Sequence, residues 1–251
     1  MNYSYIVVIS GGLGELAQYI VNDLLIHGCT VCSLDINTSK EDLKNKNYHE
    51  FRCDITNEED VVSTIKKIYD IFGNIHILIN NAGLHINKKF VEIKYEEIVQ
   101  LMNVNIIGTF LLTSEVIKYM LKQNRGKIIN ISSSAPFDCV PNTSIYSMSK
   151  ASMNCMTQCL VKELKGTNIS VNAICPTVIH TEVVNKNCNR ISKESGMDKE
   201  TILKNYCENL NLEKRLLEPS EICAAVRFLI SDIDNSVNGM LLPVNCGSTL
   251  R

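Results

Sequence analysis

The sequence predicts an α/β architecture: a doubly wound parallel sheet of about seven strands flanked by helices. Three observations predict it. Short, continuous apolar runs alternate with helix-length amphipathic segments along the whole chain. Those runs lack polar alternation, as strands buried on both faces do. A glycine-rich turn separates the first run from the helical pattern after it, and repeated βα units close right-handed with helices on both faces.

The elements follow in order. "YIVVIS", residues 5–10, is an apolar run closed by glycines. Residues 15–27 carry Leu16, Ile20 and Leu24 at helical spacing and stop at Gly28. "TVCSLD" is the second strand and "YHEFRCD", after a polar connection at 37–47, the third. Residues 58–72 form an amphipathic helix with Val61, Val62, Ile65, Ile68 and Phe72, ended by Gly73. "IHILIN" is the fourth strand, a long helix covers 95–123, and "GKIINIS" is the fifth strand. A helix covers 146–165, "ISVNAIC" is the sixth strand, and a helix at 219–231 precedes the last strand, "MLLPVN". The polar stretch 183–215 has weak helical periodicity and reads as an irregular lid within one domain spanning 1–251.

Bulk properties narrow the function. The chain has 251 residues, 45% of them hydrophobic and 21% charged, as in ordinary globular proteins. Net charge is −2, and Lys and Arg form no stripe, so no nucleic-acid partner is expected. No apolar run reaches the ~18 residues of a membrane span, so no membrane is expected. "MNYSY" has no basic n-region, so no secretory signal is expected and the protein is placed in the cytoplasm. Eleven cysteines are scattered over strands and helices. Cys29 and Cys32 fall on a strand-like stretch where their side chains point opposite ways, and Cys155 and Cys159 share a helical face without a second pair. The cysteines read as reduced small hydrophobes, with no metal site.

The turn "SGGLGELA" holds Gly11, Gly12 and Gly14, with Glu15 and Ala17 where further glycines are expected. A strand, a glycine turn and a helix N-terminus together suit a pyrophosphate, because backbone N–H groups and the helix dipole favour an anion there. Glu15 is an acid in a first helical turn, which the dipole also favours. Asp35 ends the second strand, where a carboxylate accepts from both hydroxyls of an adenosine ribose and repels a 2′-phosphate. That predicts NAD as the cofactor. Asp54, in "CDITN", is placed to meet the adenine, and "NNAG", residues 80–83, ends the fourth strand.

Tyr146 and Lys150, in "YSMSK", share one helix face. Ser133 ends the fifth strand, and Asn105 sits mid-helix, where asparagine is unfavourable and invites a reason. With these, the chain resembles the classical short-chain dehydrogenases/reductases over essentially its whole length. The matching stretches are "SGGLG", Asp35, "CDIT", "NNAG", "NVNIIGTF", "INISS", "YSMSK", "VNAICP" followed by Thr181, "EPSEI" and "GMLLPVNCG". The resemblance implies a Rossmann fold and a catalytic tetrad of Asn105, Ser133, Tyr146 and Lys150. It implies cofactor contacts from Gly11, Gly14, Leu16, Asp35, Asp54, Ile55, Asn81, Ala82, Gly83, Tyr146, Lys150, Pro176, Ile179 and Thr181. It also implies a homotetramer, or a homodimer, with 95–123 and 146–165 at one interface and the last strand at another.

The chemistry is arguable from the residue types. Tyrosine, with an ordinary pKa of about 10, is a poor base near neutrality; the Lys150 ammonium and the positive nicotinamide ring favour its phenolate. Ser133 polarises the substrate oxygen; the resemblance implies that Asn105 holds a water linking Lys150 to solvent. Departures from the family pattern are Thr177 for a glycine after Pro176, Pro136 for a glycine, and Asn245-Cys246-Gly247 for Asp-Gly-Gly.

The partner is a small-molecule substrate. Specificity is expected from 84–90, 135–145 and 183–215, which hold His85, Asn87, Lys88, Asp138, Asn142, His180, Asn185, Lys186, Asn187 and Arg190 and few aromatics. This favours a small polar or sugar-like secondary alcohol or ketone, with Lys186 or Arg190 available to an acidic one. His85 and His180 read as bystanders. A second reading is a non-redox protein on the same fold, either an NAD-sensing module or a lyase. An extended sugar-nucleotide epimerase shares the Tyr/Lys pair, but 251 residues leave little room for its extra substrate domain.

Overall fold

The computed structural model describes residues 4–39, 45–208 and 210–249; the side chains of Asn187 and Arg190, singled out above, lie outside what it describes. Seven strands form one parallel sheet in the order β3-β2-β1-β4-β5-β6-β7. In chain order, β1 (Ile6–Ser10), α1 (Glu15–Ile26), β2 (Thr30–Asp35), β3 (Tyr48–Arg52), α2 (Glu58–Phe72) and β4 (Ile77–Asn80) make the first half. A 3₁₀ turn at Phe90–Glu92 leads to α3 (Tyr95–Met102), a π-helical stretch (Asn103–Gly108) and α4 (Thr109–Gln123). Then come β5 (Gly126–Ile131), α5 (Ala135–Asp138), α6 (Ser144–Glu163), β6 (Ile169–Pro176), α7 (Glu182–Ser195), α8 (Lys199–Glu208), α9 (Pro219–Ser231) and β7 (Leu241–Val244).

Strand order reverses between β1 and β4, which opens a crevice at the carboxyl ends of the strands. The apolar runs are continuous because both faces are covered. Val7, Ile9, Val31, Ile77, Ile79 and Ile129 pack in one core with α1 and α9. Val8, Cys32, Leu34, Leu78 and Ile128 pack in the other with α2 and α4. Each fully buried Ile or Leu contributes roughly 1.5–3 kcal/mol, so the two layers dominate stability. Cys29 and Cys32 fall in opposite cores, as their strand placement predicts.

Three differences from the sequence reading have physical causes. The stretch 183–215 is not irregular: it carries α7 and α8. Its periodicity is weak because few apolar residues serve each helix, and the ends are set locally. Gly196, at φ 73°, stops α7, and the Asp198 carboxylate accepts from Thr201 N–H at 2.9 Å before α8. The helix over 95–123 is interrupted by the π-helical stretch at Asn103–Gly108. The short helix α5 was not foreseen. Pro136 sits in its first turn, where a fixed φ and a missing N–H are tolerated.

The run Tyr95–Gln123 is, by length and composition, apolar enough to cross a membrane. Here Leu101, Leu112, Val116 and Met120 bury one side of it in the fold, and Glu115 and Lys118 pair on it.

Candidate active site

The glycine turn is built for backbone contact. At Gly11, φ is 62°, and a Cβ would come within 2.8 Å of the Ala82 Cα. At Gly12 a Cβ would lie 1.9 Å from the Ser33 Oγ, so no side chain fits. The turn is stitched to the end of β4. Ser10 Oγ accepts from the Asn81 and Ala82 N–H groups at 3.1 Å, and Asn81 Nδ2 donates to the Ser10 and Gly11 carbonyls at 3.1 and 3.2 Å. Gly14 caps α1 without a side-chain hydrogen bond. Asp35 accepts from Leu13 N–H at 3.1 Å and Asn37 N–H at 3.0 Å, which holds its carboxylate beside the turn. Asp54 accepts from the Thr56 N–H and hydroxyl at 2.9 and 2.7 Å. Ile55 is buried against Gly108, where a Cβ would meet its Cγ1 at 2.7 Å. Glycine backbone at a helix N-terminus, with a carboxylate at the end of β2, fits a dinucleotide.

Tyr146 and Lys150 occupy successive turns of α6, which packs on β6. The buried Lys150 Nζ donates to the Ile131 carbonyl at 2.7 Å and lies 5.8 Å from the Tyr146 ring centroid. Burial pulls the lysine pKa down from 10.5 to about 8. Ser133 and Tyr146 both line the cleft, and Ser133 Oγ accepts from Ala135 N–H at 3.1 Å. The sequence reading expected the phenol to be more acidic than usual. In the folded chain burial pushes its pKa up instead and outweighs the opposing influence of the nearby Ser133 hydroxyl.

Asn105 lies in the π-helical stretch, a feature frequent at functional sites. This is the reason its mid-helix position invited. Its Oδ1 accepts from Leu84 N–H at 2.7 Å, and its Nδ2 donates to the Leu84 carbonyl at 3.0 Å and to Ser149 Oγ at 2.9 Å. A Cβ on Gly83 would lie 3.5 Å from Asn105 Oδ1 and 3.6 Å from Lys150 Nζ, so the three residues adjoin. Beneath them a buried chain crosses the sheet. Asn80 Nδ2 donates to Thr113 Oγ1 and to Asn130 Oδ1, and Asn130 Nδ2 donates to Thr157 Oγ1, each at 2.8 Å. This ties α4 and α6 together under the site.

A cleft of about 1280 Å³ opens over Ser133, Tyr146 and Lys150. Leu16, Asn81, Gly83, Pro176, Ile179 and Thr181 also line it; Gly11, Gly14, Asp35, Asp54, Ile55, Ala82 and Asn105 do not. Of the polar specificity residues expected, His85, Asn87 and Asp138 line the cleft. Lys88 instead pairs with Glu97, His180 lies 3.3 Å from Glu218, and Lys186 is exposed outside the lining. The lid turns its apolar side inward through Val184, Tyr206 and Leu210, because its charges are better solvated outside. With Phe137 also in the wall, the cleft is more aromatic than the sequence indicated.

Two residues escaped sequence reasoning. Ser248 and Thr249 reach the cleft from the chain's far end, and Ser248 Oγ donates to Asp138 at 3.3 Å. His85 is more than a bystander by position. Its ring meets the Tyr146 ring edge-on at 4.6 Å, and burial and the Lys150 charge together lower its pKa.

The family model described as "short chain dehydrogenase" matches residues 5–191. The chain belongs to this family. As a short-chain dehydrogenase it is 29% identical, over 96% of its length and 95% of the relative's, to the 3-oxoacyl-acyl-carrier-protein reductase FabG of Aquifex aeolicus. It is 35% identical to the L-xylulose reductase of Caenorhabditis elegans, over 69% of this chain and 65% of that one. Among solved structures, ligand-free aldohexose dehydrogenase of Thermoplasma acidophilum superposes with a TM-score of 0.88 at 27% identity, covering 99% of this chain and 95% of the other. A short-chain dehydrogenase of Leptospira borgpetersenii with bound NAD+ superposes with a TM-score of 0.86 at 25% identity, covering 99% and 94%.

The departures of this short-chain dehydrogenase from the pattern are accommodated. Thr177 is buried and keeps a negative φ, so its backbone needs no glycine. Ala17 packs its methyl in the core beside β1. Cys246 is the strained one: it adopts φ 50°, a conformation glycine takes freely.

Proposed function

We propose that this short-chain dehydrogenase is a cytoplasmic, NAD(H)-dependent oxidoreductase that interconverts a secondary alcohol and a ketone on a small polar, sugar-like substrate. The observation that carries this reading is the convergence of Ser133, Tyr146 and Lys150 on the cleft, with the Lys150 Nζ 5.8 Å from the Tyr146 ring centroid. When bound, NAD supplies the acceptor or donor of the hydride. Gly11, Gly14 and Asn81 would hold its pyrophosphate end, and Pro176, Ile179 and Thr181 its nicotinamide end. Tyr146 gives or takes the proton at the substrate oxygen, and Ser133 donates a hydrogen bond to that oxygen. The Lys150 ammonium favours the phenolate as the proton leaves. Asn105 keeps the wall in place through Leu84 and Ser149.

Asp35 supports NAD over NADP, since a 2′-phosphate there would face a carboxylate held by two backbone N–H groups. Asn87, Asp138, Asn205, Ser248 and Thr249 offer hydrogen bonds to substrate hydroxyls, and the sugar-acting relatives named above agree with that class. Val99, Ile107 and Phe110 on the α3–α4 helix and Met148 on α6 are exposed, which supports a homotetramer or homodimer through that face. Light scattering that finds a monomer at micromolar concentration would refute the assembly.

The test is NADH oxidation against ketoses, hydroxyketones and simple ketones. Tyr146→Phe abolishes turnover and keeps NADH binding; undiminished turnover would remove Tyr146 from the chemistry. Glu15, on a glycine position of the turn, favours a second reading, a non-redox protein on this fold. NADH bound without turnover on any substrate would point to a sensor, and no binding at millimolar NADH to a lyase.

A further inference from the structure

Glu15 is the first residue of α1, in the turn where the family pattern carries a glycine. Its carboxylate reaches the lid. The Glu182 backbone N–H donates to it, with the two oxygens 2.8 and 3.1 Å from the nitrogen. Glu182 opens α7, and that end has no side-chain cap from its own Thr181, whose hydroxyl donates to the Ile179 carbonyl at 3.4 Å instead. A helix N-terminus leaves N–H groups unpaired and attracts an anion. One carboxylate therefore serves two helix starts: α1 by its place in the chain and α7 by hydrogen bond.

The start of α1 is also where a dinucleotide's pyrophosphate is stabilised, by the same N–H groups and the same dipole. A pyrophosphate brought there meets a fixed negative charge at short range, and like charges in a partly desolvated crevice repel strongly. The carboxylate has to swing away before the anion settles. When it swings, α7 loses the acceptor at its first N–H, and Val184, two residues further on in α7, lines the cleft.

We propose that Glu15 is a latch: in the cofactor-free chain its carboxylate sits between the starts of α1 and α7 and holds the lid, and a dinucleotide enters by displacing it. Glu15 is thus a positioning residue that couples cofactor affinity to lid movement. This rests on the reading that the protein binds NAD(H).

The experiment uses the full chain, Glu15→Ala and Glu15→Gln, with two readouts. Hydrogen exchange of residues 182–195 without cofactor reports the lid. Titration with NADH, ADP-ribose and adenosine reports the anion seat, since only the first two carry a pyrophosphate. Expected are faster exchange at the start of α7 in Glu15→Ala, a smaller increase in Glu15→Gln, and NADH and ADP-ribose binding about tenfold tighter in both variants with adenosine unchanged. Unchanged exchange in Glu15→Ala, or NADH binding equal to or weaker than that of the natural chain, overturns the latch while leaving the NAD reading intact. If neither the natural chain nor the variants bind NADH, the NAD reading and the coupling fall together.

Discussion

The Asn105 carboxamide grips the backbone of Leu84 by both edges, accepting from its N–H at 2.7 Å and donating to its carbonyl at 3.0 Å. Leu84 follows Gly83 and lines the cleft, so the grip connects the π-helical stretch to the site wall. Asn105→Ala strands the two Leu84 backbone groups and removes a donor from Ser149 Oγ, which keeps its bond to the Tyr146 carbonyl at 2.7 Å. It is expected to lower unfolding free energy by about 2–4 kcal/mol, and turnover with it. Urea unfolding of the variant measures the first; an unchanged midpoint would show that the clasp is idle.

Buried thiols contribute to stability in the alkaline range. Burial raises Cys29, Cys53, Cys175 and Cys223 from 9.0 to about 11, and Cys32 to about 12. The fold holds these thiols protonated, whereas the unfolded chain releases their protons above pH 9. Their contribution is complete below pH 9 and is lost as pH rises through 11 to 12. Lys150 acts oppositely: its folded pKa of about 8 lies below 10.5, so its burial penalty shrinks between those values. Stability is expected to fall steeply above pH 9. Cys32→Ala should flatten the slope by about 1 kcal/mol per pH unit, whatever its effect at neutrality. Parallel curves for variant and natural chain would refute this.

Cys246 has φ 50°. Cys246→Gly removes the steric penalty of that conformation and is expected to stabilise by about 0.5–1 kcal/mol. A lower melting temperature would contradict it.

Asp35→Ser removes the carboxylate from the end of β2. The ratio of NADPH to NADH affinity is expected to rise by about tenfold. An unaltered ratio in parallel titrations would show that Asp35 does not read the ribose.

Much of the fold was legible because buried parallel strands and amphipathic helices write their periods directly into the chain. Val7 to Ser10 could only be a strand covered on both sides, and α2 was legible to its last residue. The lid was harder. Its helices bury few side chains, so Val184 and Tyr206 gave little period to read. Ser248 and Thr249 carry no local signal at all; only the sheet's closure brings them to the cleft.

By itself the sequence determined the sheet and the glycine turn and put forward Ser133, Tyr146 and Lys150, because each depends on residues close together in the chain. The tertiary structure alone decided that Asn105 grips Leu84, that burial raises the Tyr146 phenol, and that Glu15 meets Glu182 across 167 residues. Those facts depend on distance and desolvation between remote segments, and neither exists until the segments are packed.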